Sequence, residues 1–400
     1  MSKKSIGHKK VICQCLSILP TDEFACPLLN YDYDKLSVDS LLKIFVAAQI
    51  GKWESYADIE EKIRSDKKLR EALNLPSISG SQLSRRINEL PTEIAQSFFL
   101  KVVYILRDLT KNYKGIDSTI GKLSIVDSTH IKLPPQLCDW AYVTKGWNVV
   151  KMHTRLVVLS ENVSFPDKIL PSTGNVSDFE STDVLIEKSD TTYVMDRGYP
   201  SNKNLNDWLE QEIHFVVRLS KNFKFVAREN YNITNSVVQK DCKVLVYPSK
   251  RPARLVEFID EDGKLYRLLT TRFDLTADEI MDIYRYRWMI ETFFKWIKQH
   301  LRIIKIWSTK PQGMWNQMFI ALAAYCLSLI VQIKSKTKKT LWEVLRALRT
   351  YMFKTWASFL KELHPKKMKT SKGRQKIPIV KEKQDIFVGT IARIKPQKRK

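Results

Sequence analysis

Three carboxylates of this 400-residue chain, Asp127, Asp196 and Glu291, stand where they could serve phosphate chemistry. Each aspartate follows a short apolar run, 123–126 (LSIV) and 192–195 (TYVM), that reads as a β-strand. The C-terminal ends of such strands are where α/β sheets place their ligands, although a strand-end aspartate also serves simply to cap the next turn. Glu291 lies in the stretch 275–301, which reads as one helix. At about 100° per residue its apolar side holds Ile283, Tyr286, Ile290, Phe293 and Ile297. A second stripe gathers Tyr284, Arg287, Trp288, Glu291, Lys295 and Lys298. That stripe would serve as a solvated face with a Glu291–Lys295 ion pair worth only about 0.3–0.5 kcal/mol. One carboxylate among cations and aromatics also suits a metal ligand beside a phosphate backbone. Three hard oxygen donors without a histidine or cysteine set favour Mg²⁺, with Mn²⁺ as a substitute. Three carboxylates can hold two such ions about 3.5–4 Å apart, one activating the attacking oxygen and the other stabilising the leaving oxygen.

The elements that must hold these groups change character along the chain. Residues 1–115 read as helical, with a largely apolar helix at 39–50 and a charged amphipathic one at 56–73. After the breaker 75–80 (LPSISG), the stretch 81–90 carries Gln82, Ser84, Arg85 and Arg86. This pattern suits a helix-turn-helix, and it suits a plain helical hairpin equally well. From about 121 strands and helices mix: strands at 123–126, 151–159, 167–170, 192–195 and 214–219, with helices at 181–188 and 202–213. That order describes an α/β sheet with helices on its faces. Residues 220–272 alternate as strands, with a hairpin turn at Asp262-Gly263, and read as a β-rich insertion. Thr276 and Glu279 form a capping box that starts the 275–301 helix. A buried helix at 313–333, an amphipathic one at 341–363 and a basic, partly disordered tail complete the chain.

Composition narrows the partner. Sixty-seven Lys and Arg against 43 Asp and Glu give a formal net charge of +24, a field that favours polyanions such as nucleic acid. The apolar run 318–331 is too short to span a bilayer, so a membrane partner is not expected. Six scattered cysteines without C-x-x-C spacing suggest neither a zinc site nor a disulfide framework, and fit a reducing cytoplasm.

The spacing Tyr284-x2-Arg287-x3-Glu291-x6-Lys298 resembles the signature of DDE transposases from bacterial insertion sequences, in the group named after insertion sequence four. Asp127 in IVDSTH, Asp196 in MDRGY and the wording YRYRWMIETFFKWIK are similar to that group too. The resemblance covers roughly residues 120–335. It implies an RNase H-like catalytic core at 119–335 with the β-rich insertion at about 220–272. An N-terminal helical DNA-binding domain at 1–118 and a C-terminal helical segment with basic tail at 336–400 would flank it. It further implies that Asp127, Asp196 and Glu291 ligate two Mg²⁺ ions, and that Tyr284, Arg287 and Lys298 contact phosphates at the scissile bond. Trp288 would stack a displaced base, and Lys295 would lie along the DNA. Arg85 and Arg86 would meet the terminal inverted repeats. The expected activity is metal-dependent cleavage of double-stranded transposon ends and strand transfer into target DNA, by a paired homodimer at the bacterial nucleoid. A transposase-derived protein that binds DNA without cutting it, and a nuclease of the same fold that does not join, are the alternatives. His130, Lys145, Lys151 and Asn175 are further candidates along the DNA path or plain surface residues. Asp139, Asp178 and Asp183, lying away from strand ends, are set aside as ligands.

Overall fold

In the computed structural model, residues 9–31 and 35–365 are described. The basic tail expected beyond 365 therefore lies outside the described residues. Ten strands form one sheet: β1 (Leu123–Leu133), β2 (Tyr142–Thr144), β3 (Trp147–Ser160), β4 (Val163–Thr173), β5 (Thr192–Met195), β6 (Phe215–Arg218), β7 (Val226–Asn230), β8 (Val238–Leu245), β9 (Pro252–Ile259) and β10 (Leu265–Thr270). Their order is β2-β3-β1-β5-β6-β10-β9-β8-β7, with β4 on β3.

The register around β1 does most to place the carboxylates. Along its whole length β1 pairs antiparallel with β3, from Leu123↔Val158 to Leu133↔Asn148. On its other edge only four residues pair, in parallel with β5, from Leu123↔Thr192 to Val126↔Met195. Asp127 therefore does not end its strand, as the sequence suggested; it ends the parallel ladder, and β1 continues to Leu133 as a ribbon with β3. The burial pattern shows the reason. Residues 123–126 are buried throughout, whereas from Thr129 to Leu133 buried and exposed residues alternate, as they must when one face is covered and the other is not.

The β-rich stretch extends the same sheet. β10 pairs antiparallel with β6, from Leu268↔Arg218 to Thr270↔Val216, and β9, β8 and β7 follow outward. The Asp262-Gly263 turn joins β9 to β10, with Gly263 at a φ of 74°, which favours glycine.

Helices cover the sheet. Before β1 come α1 (Val11–Leu16), α2 (Pro27–Asn30), α3 (Val38–Gly51), α4 (Tyr56–Ser65), α5 (Lys67–Ala72), α6 (Gly80–Glu89) and α7 (Thr92–Leu109). The single helix expected at 56–73 is two, because the Asp66 side chain accepts from Leu69 N–H and starts a new helix there. Short α8 (Thr182–Leu185) and α9 (Asn202–Glu210) lie between the central strands, followed by α10 (Ala277–Arg285), α11 (Trp288–His300), α12 (Pro311–Ser335), α13 (Leu341–Tyr351) and α14 (Trp356–Leu363). The Thr276–Glu279 capping box is present at the start of α10.

The expected helix over 275–301 is likewise broken. At Tyr286 and Arg287 the backbone tightens to i→i+3 bonds, Arg287 N–H to Tyr284 O at 3.1 Å and Met289 N–H to Tyr286 O at 2.9 Å. Such a turn changes the residues-per-turn count and lets the helix axis bend.

Two cores result. Val126, Tyr193, Met195, Trp208 and Phe215 pack together on one side. On the other, the N-terminal helices share one cluster with β-strand residues and with α10 to α14, including Leu41, Phe45, Phe98, Phe99, Ile125, Ile283, Phe319 and Phe359. α12, at 25 residues, outruns the expected apolar segment and is long and apolar enough to cross a membrane by length and composition. However, 78% of its apolar window is buried inside the protein. It approaches α6 closely at Gly313, where a Cβ would collide with Asn88 and Ser308. Among the described residues the chain up to Leu363 forms one compact unit.

Candidate active site

Because Val126 and Met195 are partners, Asp127 and Asp196 are the first residues beyond the parallel ladder on adjacent strands. The fold thus brings two carboxylates side by side. The tightened turn between α10 and α11 supplies their partners. Tyr284 Oη donates to Asp196 Oδ1 at 3.1 Å, while Arg287 reaches Asp127 Oδ2 with Nη1 at 3.4 Å and Glu291 Oε1 with Nη2 at 2.7 Å. Arg218 of β6 approaches Asp196 Oδ1 at 3.9 Å and lies over the Tyr266 ring at 4.3 Å. One guanidinium therefore links Asp127 to Glu291, and one phenol holds Asp196.

The electrostatics reflect crowded negative charge. Burial pushes the Asp127 carboxyl up to about 6; the Ser128 N–H and Arg287 oppose this, and Asp178 and Asp196 add to it. Burial and the neighbouring Asp196 raise the Tyr284 phenol. Burial works against the charge of Arg287, yet its bond to Glu291 and the nearby Tyr284 and Asp196 outweigh that and raise its pKa. Burial lowers the Lys298 ammonium, which donates to Thr129 Oγ1 at 2.6 Å.

Several expected contact residues are placed differently from one another. Trp288 is 64% exposed beside the site, with the Arg287 guanidinium 5.6 Å from its ring. Lys295 is also exposed, one turn beyond Glu291. Tyr284, by contrast, is buried, and its hydroxyl is engaged by Asp196 rather than open to a ligand. Arg85 is exposed on α6. Its neighbour Arg86 is a correction to the sequence expectation: it is buried, and its guanidinium turns inward to the carbonyls of Leu36 and Leu29 at 3.4 and 3.5 Å. One position along a helix rotates a side chain by about 100°, so adjacent arginines cannot share a face.

Other residues gather behind the aspartates without having been chosen as ligands. Asp178 Oδ1 accepts from Ser128 Oγ at 2.7 Å and lies 2.9 Å from Lys151 Nζ and 3.5 Å from His153 Nδ1. Only the β1–β3 register reveals that grouping, because Ser128 faces His153 and His130 faces Lys151 across the ladder. Asp139 caps Trp140 N–H, Asp183 is exposed, and Asn175 donates to Tyr142 O. His130 and Lys145 are exposed, and the His130 ring lies 6.2 Å from that of Trp147.

The donor chemistry fits a hard divalent cation: adjacent oxygen donors, one of them held reluctant to ionise by burial and like charge. Among the described residues no three acidic, histidine or cysteine side chains converge to hold an ion in this conformation. Arg287 stands between Asp127 and Glu291 instead, and its Nε is buried without a hydrogen-bond partner.

Residues 119–327 match the transposase DDE domain family. A probable transposase for insertion sequence element IS5377 from Geobacillus stearothermophilus is 27% identical over 310 residues, 75% of this chain and 78% of that protein. A protein of Sinorhizobium fredii described as a transposase, y4zB, is 29% identical over 234 residues, 56% of this chain and 64% of its own length. A third, from Synechocystis and described as a transposase for insertion sequence element IS4SA, is 23% identical over 281 residues, 66% of this chain and 77% of that one. With more than half of its length matched, the chain belongs to the transposase DDE domain family, and it is a DDE transposase of the insertion-sequence type.

Proposed function

We propose that the protein cleaves DNA at the terminal inverted repeats of its element and joins the freed 3′ ends to target DNA, with Asp127, Asp196 and Glu291 as ligands for two Mg²⁺ ions. The observation that carries this reading is the placement of Asp127 and Asp196 directly after the last parallel pair, Val126↔Met195, with Arg287 joined to both Asp127 and Glu291. The core around them, a mixed sheet flanked by helices with the third carboxylate on a helix, is read as RNase H-like. Mn²⁺ substitutes for Mg²⁺, and a homodimer synapses the two ends.

When bound, the metal ions would activate the attacking oxygen and stabilise the leaving one. The chain's own residues do the rest. Tyr284 holds the Asp196 carboxylate through its hydroxyl. Arg287 neutralises Asp127 and Glu291 before DNA arrives, and a phosphate oxygen would replace those carboxylates as its partner. That exchange frees Glu291 to complete the ligand set. Lys298 on Thr129 and the exposed Lys295 offer charge to the backbone flanking the scissile bond. The exposed Trp288 ring offers a surface for an unstacked base.

The test incubates the protein with end DNA and a target plasmid, with and without Mg²⁺. Cleaved ends and joined products are expected only with metal, and Asp196→Ala should abolish both while binding of end DNA persists. Cleavage that survives Asp196→Ala would overturn the ligand assignment. Binding without cleavage in the parent protein, at any Mg²⁺ or Mn²⁺ concentration, would make it a DNA-binding derivative. Cleavage without joining would make it a nuclease.

A further inference from the structure

Asp178 sits just before the one-turn segment ahead of α8 and was set aside as a ligand, yet it bonds the strand that carries Asp127. Its Oδ1 accepts from Ser128 Oγ of β1 at 2.7 Å and faces Lys151 Nζ of β3 at 2.9 Å and His153 Nδ1 at 3.5 Å. Its Oδ2 faces the space beside Gly198 in the loop after Asp196, where an added Cβ would lie 3.5 Å from it. The next link is direct: Ser128 N–H donates to Asp127 Oδ1 at 2.8 Å.

The cost of this arrangement argues that it does more than fill space. Lys151 and His153 are 6% and 0% exposed, flanked in the same strand by the buried Val149, Val150, Met152 and Leu156. Burying an ammonium is unfavourable unless it is paired, and apolar side chains would suit the strand as well. Lys151 is tied down twice, to Asp178 and to Val176 O at 3.0 Å. His153 Nε2 is anchored on Ser172 Oγ at 3.0 Å. Burial pushes the Asp178 carboxyl up, but the adjacent His153 ring and Lys151 ammonium and the bond from Ser128 Oγ outweigh it and hold the group well below the usual range. Asp178 is thus a fixed, charge-balanced acceptor for Ser128.

We infer that Asp178, Lys151 and His153 form a positioning unit that pins Ser128, and through the Ser128 N–H fixes the Asp127 carboxylate in the orientation that binds metal. The inference rests on the reading of Asp127 as a metal ligand. Groups that orient metal-binding side chains typically change metal affinity or activity about 10–100-fold when removed.

The experiment compares Ser128→Ala, Ser128→Thr and Asp178→Asn with the parent and with Asp127→Ala. Two quantities are read on complexes with end DNA: Mn²⁺ retained, by electron paramagnetic resonance, and the cleavage rate across an Mn²⁺ titration. Ser128→Ala and Asp178→Asn should bind end DNA within about twofold of the parent but retain Mn²⁺ about 10–100-fold more weakly. Their cleavage should recover partly at high Mn²⁺, and Ser128→Thr, which keeps the hydroxyl, should restore parental values. Should Asp178→Asn fail to fold, the Ser128 pair decides alone. Parental Mn²⁺ affinity in Ser128→Ala, or a loss that Ser128→Thr does not repair, would overturn the positioning role. Cleavage unaffected by Asp127→Ala is a separate outcome: it would remove the ligand reading itself, and the positioning role with it.

Discussion

At the scale of single residues, the candidate site is a set of charges held at some cost. Asp127 shows this most clearly. Its folded carboxyl sits at about 6, while an unfolded aspartate titrates near about 3.9. Below about pH 4 both states hold the proton and nothing is lost. Between the two values the unfolded state ionises first, and above about pH 6 the full penalty stands, roughly 1–3 kcal/mol. We therefore expect Asp127→Asn to raise the thermal midpoint of the metal-free protein at pH 7.5, by one to a few degrees, and to abolish cleavage. The gain should shrink toward zero as the melt is repeated near pH 4. A variant less stable than the parent at pH 7.5 would show that the Ser128 and Arg287 contacts outweigh the burial of charge. The candidate ligands themselves were legible from residue type and neighbours. Their partners were not: that Tyr284 holds Asp196 and Arg287 links Asp127 to Glu291 depends on a turn of backbone that no periodicity announces.

At the scale of elements, the pattern of apolar residues located the helices and strands but not their breaks. The stretch 275–301 keeps a helical period throughout, yet its backbone tightens at Tyr286 and Arg287. The stretch 123–126 looked like a complete strand because polar residues follow it, although pairing with β3 carries the strand on to Leu133. Helix α6 gives a sharper case, since Arg85 and Arg86 differ in fate by one position. Arg85→Ala should leave the melting midpoint unchanged and weaken binding of end DNA, with the slope of log affinity against log salt reduced by about 0.9. Arg86→Ala should instead destabilise the fold, by about 1–3 kcal/mol, because the Leu36 and Leu29 carbonyls lose a buried donor. Denaturant melts and a salt series of DNA titrations check the pair. Equal effects of both substitutions on DNA binding would contradict the inward orientation of Arg86.

At the scale of the whole molecule, stretches that the sequence divides at 118/119 and 335/336 share one apolar core. α12 packs on α3, α6 and α7 from the N-terminal stretch, as in the Phe99–Phe319 contact at 6.1 Å between ring centroids. Asn316 Nδ2 donates to Ile87 O and Leu90 O, and Gln49 bonds the backbone of Arg302 on both sides. A fragment of residues 119–335 alone would expose most of that buried helix face. It is expected to be aggregation-prone or molten, whereas the full chain should melt in one cooperative transition. Separate calorimetric transitions for the N-terminal helices and the sheet would contradict this coupling.

By itself the sequence determined the chemistry: hard oxygen donors, a cation-rich helix face with the spacing of Tyr284, Arg287, Glu291 and Lys298, and a charge suited to DNA. These are properties of residue type and short-range spacing, which the chain carries before it folds. The tertiary structure decided which groups meet. Asp127 and Asp196 are neighbours because Val126 and Met195 share a parallel register across 69 positions of chain. Asp178, 50 residues from Ser128, becomes its partner because the β1–β3 register sets Ser128 opposite His153, which with Lys151 lies against Asp178. Register between distant strands and the tightening of one helical turn arise from packing across the whole molecule, and neither is written in any local stretch of residues.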